Sequence, residues 1–290
     1  MKISTIKVPA TTANLGPGFD SCGLALSLYM TVHIGNETSE WIVDHNCGED
    51  IPHDASNLMV ETALSIVPDL HPRQLWMECD IPTARGLGSS SAAIVAGVEL
   101  ANVCADLALS NEQKVAIASK IEGHPDNVAP AILGNFVIGA KLDNADYSVR
   151  HQFPDCAILA FIPNFQLLTS KARAILPKTM SYPDAVKASS IANVLIAALL
   201  RNDLALAGKM MELDMWHESY RAQLIPHLLP LRALAKEKGA YATCLSGAGP
   251  TVLVFAPRKR ITELQLSLHN FDKTASVWAL EVEDSGVMAF

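Results

Sequence analysis

The stretch Ile81-Pro82-Thr83-Ala84-Arg85-Gly86-Leu87-Gly88-Ser89-Ser90-Ser91-Ala92-Ala93 sits between two segments of different periodicity. Before it, Leu75, Met77, Cys79 and Ile81 alternate with Trp76, Glu78 and Asp80, which predicts a strand with one buried face. After it, the run from Ala92 to Leu109 is almost uncharged and rich in helix formers, so a helix is expected with the serines at its N-cap and first turn. The glycine-rich stretch is therefore a strand-to-helix turn.

Such a turn is suited to an anion. The first amides of a helix have no intrahelical partners, and the macrodipole adds partial positive charge there. Gly86 and Gly88 carry no Cβ to block a ligand or forbid positive φ, and the serine hydroxyls add donors or a metal ligand. The loop is not a Walker A motif, because no Lys-Ser/Thr pair follows the second glycine, and it lacks the dinucleotide spacing. Taken alone, it is also compatible with an ordinary turn capped by serine.

The rest of the chain narrows the setting. With 290 residues, half of them apolar, it can bury one large core or two smaller ones. A formal charge of −8 argues against a general nucleic-acid or anionic-membrane surface, so an anionic ligand must be met locally. The six cysteines (Cys22, Cys47, Cys79, Cys104, Cys156 and Cys244) lie far apart with no Cys-x-x-Cys pair, as expected of reduced thiols in a cytoplasmic protein. Met1 to Pro9 carries charge where a signal peptide would need an apolar block. The most apolar helical run, Ile191 to Leu200, is about half of a bilayer span, so no membrane segment is expected.

Strands are expected at Ile3 to Val8, Leu26 to Ile34, Trp41 to Val43, Phe136 to Ala140 and Ala157 to Ile162. Helices are expected at Asn57 to Val67 and Glu112 to Ile121. The polar connection Leu142 to Asp155 is the best boundary, dividing residues 1–150 from residues 151–290. The second part reads as two helices broken near Arg201-Asn202-Asp203 and a helix from Pro226 to Lys238. Strands Tyr241 to Leu245 and Thr251 to Phe255 flank the turn Ser246-Gly247-Ala248-Gly249-Pro250, and a helix (Thr262 to His269) and a strand (Ser276 to Leu280) follow. This is an α+β pattern.

Three further clusters carry chemistry. Pro9 to Gly23 frames Gly16-Pro17-Gly18 with Asn14 and Asp20, residues that also form plain turns. Glu122-Gly123-His124-Pro125-Asp126-Asn127 gathers groups able to bind a metal or a polar ligand, or it is a helix end capped by Gly123. Arg173 and Arg221 lie in Thr169 to Arg173 and Trp216 to Arg221, and guanidinium suits a carboxylate, although a lone arginine is usually a surface charge.

In their order along the chain, these motifs resemble the GHMP small-molecule kinase superfamily. Pro9 to Gly23 looks like its first motif, Pro82 to Ala93 like its ATP loop and Leu245 to Thr251 like its third. Glu122 to Asn127 with Val128-Ala129-Pro130-Ala131 favours the branch that phosphorylates L-homoserine, giving O-phosphohomoserine on the route to threonine. The resemblance implies a two-domain GHMP kinase-like α+β fold, with a ribosomal-S5-like N-terminal domain and a ferredoxin-like C-terminal domain. It implies ATP and Mg2+ as cofactors, a small-molecule substrate with no nucleic-acid or membrane partner, and a homodimer.

Carried over by residue, the resemblance implies that Pro82, Thr83, Ala84, Arg85, Gly86, Leu87, Gly88, Ser89, Ser90, Ser91 and Ala92 hold the nucleotide. Ser90 and Glu122 would hold magnesium, and Asn14, Asp20, His124, Arg173 and Arg221 the amino acid. Asp20 and Asn14 are the catalytic candidates, aiming the attacking hydroxyl, with Asp20 as a possible proton acceptor. Three serines follow Gly88 where relatives commonly have two and then alanine, which leaves open which hydroxyl reaches the metal. Glu122 also lies only two residues before His124, where many relatives have a longer insertion. A mevalonate, shikimate or sugar kinase is the nearest rival reading, and a turnover-free ligand sensor the rival from another class.

Overall fold

The structure is a computed structural model that describes residues 4–143 and 145–290. The expected N-terminal reading of Met1 to Pro9 and the strand from Ile3 begin outside the described residues, as does Asn144 of the expected connection. Strands β1 (Ser4–Ala13), β2 (Cys22–Glu37), β3 (Ile42–His45), β4 (Arg73–Cys79), β5 (Phe136–Lys141), β6 (Asp146–His151) and β11 (Met288–Ala289) make one sheet. Strands β7 (Ala157–Ile162), β8 (Ala242–Leu245), β9 (Val252–Ala256) and β10 (Ser276–Leu280) make a second, antiparallel sheet in the order β10-β7-β9-β8. Helices α1 (Leu58–Ile66), α2 (Ser89–Cys104), α3 (Asn111–Glu122) and α4 (Val128–Leu133) belong to the first half. Helices α5 (Thr169–Ala174), α6 (Tyr182–Leu200), α7 (Leu204–Met211), α8 (Glu218–Arg221), α9 (Leu228–Glu237) and α10 (Ile261–Phe271) belong to the second. The α+β expectation holds.

The long β2 organises the first sheet. It pairs antiparallel with β1 over most of its length, with β5 through Cys22 to Leu24 and with β4 from Met30 onward. One strand can serve three partners because β5 and β4 take opposite ends of it, and the β1–β2 register shifts at Pro9/Ala10. β3 joins β4 in parallel, and β6 closes the other edge on β5. The connection expected between Leu142 and Asp155 thus contains a strand.

Helix α2 is the centre of the molecule. Ala92 and the run Ile94 to Ala101 are buried against α1, α3, α4 and β1, so the helix is apolar on nearly every side, as its sequence demands. Its one buried acid, Glu99, meets Lys114 of α3 at 2.6 Å. Strand β7 is buried on both faces: Ile158, Ala160 and Ile162 enter the main core, while Leu159 and Phe161 enter a smaller core under α9 and α10. That period of two is the pleat of a strand sandwiched between layers.

Two features correct the sequence reading. The chain does not stop at the second sheet, since Val282 bridges Leu26 and β11 pairs with β1. Helix α6 is also longer than the run Ile191 to Leu200 and, at 19 residues with mean hydropathy 1.3, it is long and apolar enough by length and composition to cross a membrane. Ser181 and Pro183 start it well before the apolar stretch, and it buries Ala188, Leu195, Ala198 and Leu199 against the protein.

Candidate active site

The turn after β4 follows the expected logic with one change. The N-cap of α2 is Gly88, left-handed at φ +74°, rather than a serine. The first intrahelical bond runs from the Ala92 amide to the Gly88 carbonyl at 2.8 Å, so the amides of Ser89 to Ser91 are those a helix leaves unpaired. A Cβ on Gly88 would stand 2.2 Å from Thr11 Oγ1, and one on Gly86 would stand 2.3 Å from the Ser246 carbonyl oxygen. Both glycines are therefore required by close approach as well as by positive φ.

The loop is fastened through its carbonyls. Leu167 donates to the Ala84 carbonyl (3.2 Å), Thr251 to that of Arg85 (3.3 Å), Ser246 Oγ to that of Gly86 (2.6 Å) and Thr11 to that of Leu87 (3.2 Å). Those donors come from the first motif, the third motif and the segment before α5, so the loop is held by both halves of the chain. Of the expected nucleotide-binding residues, Ala84, Gly86, Gly88, Ser89, Ser90 and Ser91 line the main pocket. Pro82, Thr83 and Arg85 face a second cavity, while Leu87 and Ala92 are buried. Arg85 donates to the Pro163 and Thr83 carbonyls at 3.2 and 3.1 Å, so its side chain braces the loop against the end of β7.

The pocket continues from the mouth of α2 to Asn14, Asp20, Glu122, His124, Arg173 and Arg221, so the structure brings together every expected substrate residue. Asn14 is buried at φ +77°; its Nδ2 donates to the Gly247 carbonyl (3.1 Å) and its Oδ1 accepts the Asp20 amide (3.0 Å). It thus clips the first turn to the third. Asp20 and Arg173 form a two-pronged pair at 2.8 and 3.0 Å that is about a third to two-fifths exposed, with side-chain exposures of 33% and 43%. Residues assigned to opposite charges of one ligand therefore neutralise each other, in a setting where such a pair is readily opened.

At the end of α3, Gly123 is the left-handed cap, as read from the sequence. Glu122 accepts a hydrogen bond from Ser91 Oγ at 2.9 Å. The serine paired with this carboxylate is thus Ser91, whereas Ser90 is exposed at the pocket wall. Beyond them His124 Nδ1 lies 2.5 Å from Oδ1 of the buried Asp126. Burial pushes the His124 pKa down, but the Asp126 hydrogen bond and charge, with Asp20 and Glu122, outweigh it and the net shift is upward. Asp126 lines the pocket and lies within 4.8 Å of both Asp20 and His124 by ligand atoms. Asn127 also lines it, its Oδ1 accepting from Thr11 Oγ1 at 2.9 Å.

Arg221 is 2% exposed and enters from the four-residue helix α8. Asp214 starts that helix, accepting the amides of Trp216, His217 and Glu218 at 2.9, 2.9 and 2.7 Å. Glu218 ties it to β8 by accepting the Leu245 amide at 2.6 Å, and burial pushes its carboxyl up to about 7 against the pull of Arg232. The Arg221 and Arg173 guanidiniums both lie 5.5 Å from the Phe19 ring centre. Sequence reasoning assigned no role to Phe19 or His217 and named Asp126 and Asn127 only among groups able to bind a metal or a polar ligand, although each lies in a segment it had singled out.

A helix mouth with unpaired amides and an acid- and arginine-lined recess in one pocket, on a two-sheet α+β frame, suit a small-molecule phosphotransferase, and the GHMP class is the one that the motifs resemble. Comparison with known proteins agrees. Residues 57–135 match the GHMP kinases N terminal domain and residues 195–273 the GHMP kinases C terminal domain. The homoserine kinase of Listeria monocytogenes is 64% identical over 285 residues, covering 98% of this chain and 99% of that one. A solved structure of a putative homoserine kinase from the same organism superposes with a TM-score of 0.91 at 60% identity, covering 99% of each chain. The homoserine kinase of Cytophaga hutchinsonii superposes at 0.88 with 26% identity, covering 100% of this chain and 98% of that one. The chain belongs to the homoserine kinase family, within the GHMP kinases, whose members use ATP.

Proposed function

We propose that this pocket is where the chain carries out the ATP-dependent phosphorylation of the side-chain hydroxyl of L-homoserine, giving O-phospho-L-homoserine for threonine synthesis. The observation that supports this reading is the juxtaposition in one cavity of the α2 N-terminus with Asp20, Arg173 and Arg221. Phosphoryl transfer asks little covalent chemistry of a protein and depends on alignment and charge neutralisation. The unpaired amides of Ser89 to Ser91 bind the polyphosphate, with Pro82 to Ala92 as their scaffold. At the other wall, Asp20 takes the substrate ammonium, Arg221 and Arg173 its carboxylate, and Asn14 and His124 fix its orientation. Entry of the amino acid exchanges the Asp20–Arg173 pair for two pairs with the ligand.

An all-oxygen set of one carboxylate and serine hydroxyls suits a hard cation, and Glu122 with Ser90 and Ser91 supplies it at the pocket wall. Glu122 with Ser90 would hold Mg2+, and the Ser91 hydroxyl would orient the carboxylate. When bound, the ion neutralises charge on the phosphates. Glu122→Gln should raise the magnesium concentration required for half-maximal turnover by roughly tenfold or more, as loss of a charged ligand predicts. An unchanged requirement would remove Glu122 from the site.

Asp20 is assigned to binding and aiming the substrate. Asp20→Asn should therefore mainly raise the KM for homoserine. A collapse of kcat at constant KM would instead make it the proton acceptor. Six free cysteines accord with a reducing, cytoplasmic location. The family resemblance further suggests a homodimer, checked by light scattering, and units of 1–150 and 151–290 as the organisation of the chain.

A further inference from the structure

Behind the pocket wall lies His217, 0% exposed, on the residue before α8 and in contact with the lining residues Arg221 and Phe19. Its Nδ1 lies 3.0 Å from Nη1 of Arg221 and its Nε2 lies 3.1 Å from the carbonyl oxygen of Gly16. A guanidinium has donors only, and so has no way to pair with a protonated ring nitrogen. Nδ1 must therefore be the acceptor, which leaves the single ring proton on Nε2, where the Gly16 carbonyl accepts it. The partners fix both the neutral state and the tautomer.

The surroundings agree. Burial, with Arg221 adding to it against Asp214, pulls the His217 pKa down to about 4. The Asp214 carboxylate lies 3.7 Å from Nε2, but it already accepts three backbone amides. Phe19 stacks on the ring at 5.2 Å and 24°.

The remaining bonds of Arg221 show what this achieves. Its Nε donates to the Ala172 carbonyl (3.2 Å), and Nη1 gives its second proton to the Gly247 carbonyl (3.0 Å). Nη2 has no hydrogen-bond partner among the described residues. Three protein contacts set the plane of the guanidinium and leave one nitrogen for a ligand, and His217 alone of the three is a side chain. The same ring reaches the first-motif turn through Gly16, where a Cβ would stand 2.2 Å from the Met211 carbonyl oxygen.

We propose that His217 is a positioning residue for the amino-acid substrate: its neutral ring holds the Arg221 guanidinium at Nδ1 and the Gly16 turn at Nε2, so that the free nitrogen meets the substrate carboxylate. This rests on the assignment of Arg221 to that carboxylate, and the test separates the two. Steady-state kinetics for homoserine and for ATP, with thermal melting, are compared for wild type, His217→Asn, His217→Gln and Arg221→Gln. The Asn side chain places an acceptor near the position of Nδ1, and the Gln side chain a donor near that of Nε2.

His217→Gln, which keeps the Gly16 contact and loses the Arg221 contact, should raise the homoserine KM by roughly 10-fold or more, as loss of a bond to a buried charge predicts. The ATP KM should stay within about threefold, because the α2 mouth is built from other residues. His217→Asn should restore the homoserine KM to within about threefold of wild type even if it melts earlier, since the Arg221 partner is the one it keeps. If Arg221→Gln leaves the homoserine KM unchanged, the assignment of Arg221 fails, and this proposal with it. If Arg221→Gln raises that KM but the two His217 variants behave alike, or raise both KM values together, His217 is only structural and the proposal is overturned.

Discussion

His124 shows how a single residue is tuned by neighbours distant in sequence. It sits among Asp126, Asp20 and Glu122, and their field carries its pKa upward in spite of burial. An NMR titration should give His124 a midpoint above the ordinary value of about 6.5, and Asp126→Asn should bring it back towards that value. A midpoint indifferent to Asp126 would refute the pairing. Because the folded value is the raised one, the stability this proton contributes is complete below about pH 6.5 and is lost as pH rises through the folded midpoint. That Asp20, His124, Arg173 and Arg221 would share one pocket was legible in the sequence, because their motifs have a recognisable order and their charges suit a zwitterion such as the proposed substrate. Asp126 was legible only as one polar group among several in its segment, since its pairing with His124 comes from being 2% exposed beside an imidazole, and burial does not show in a short polar segment. His217 escaped for the same reason.

At the scale of the element, the strand, glycine turn and helix around Gly88 carry the phosphate-binding argument. Gly88→Ala must place a Cβ within 2.2 Å of Thr11 Oγ1 at φ +74°, whereas Gly123→Ala, at φ +100°, meets nothing within 4 Å. Gly88→Ala should therefore lower the melting temperature and raise the ATP KM by roughly tenfold or more, combining left-handed strain with a displaced helix start. Gly123→Ala should show the conformational cost alone, about 1–2 kcal/mol, with the ATP KM unchanged. Equal effects of the two on ATP would contradict the role given to the α2 mouth. This element could be read in advance because alternation, glycine punctuation and an uncharged helical run all change within a few residues. Strand β6 could not, because Tyr147 and Val149 are 60% and 62% exposed and the edge strand buries no face to impose a pattern.

The whole molecule is closed by its last residues. After β10 the chain returns to the first sheet, where Glu283 accepts from Tyr29, Asp284 accepts from Asn135 at 2.7 Å, and β11 pairs with β1. The approach is close: a Cβ on Gly286 would stand 1.8 Å from the Ile132 carbonyl oxygen. Truncation after Leu280 should lower the melting temperature by about 5 °C or more, from the several hydrogen bonds and the strand edge it exposes, and an unchanged melt would show the tail to be ornamental. The sequence hid this return because a two-residue strand has no periodicity and its partners lie near the opposite end of the chain. The tail thus couples the second sheet to the strands that carry the first motif, while the pocket itself is lined by residues from Ala13 to Ala248 and its glycine loop is fastened by the third motif. On the proposed function, both substrates meet there. The most direct measurement is a crystal structure with a non-hydrolysable ATP analogue and homoserine together. The polyphosphate is expected on the amides of Ser89 to Ser91, the amino-acid carboxylate on Arg221 and its ammonium on Asp20. A polyphosphate lodged elsewhere, with the mouth of α2 empty, would contradict that reading.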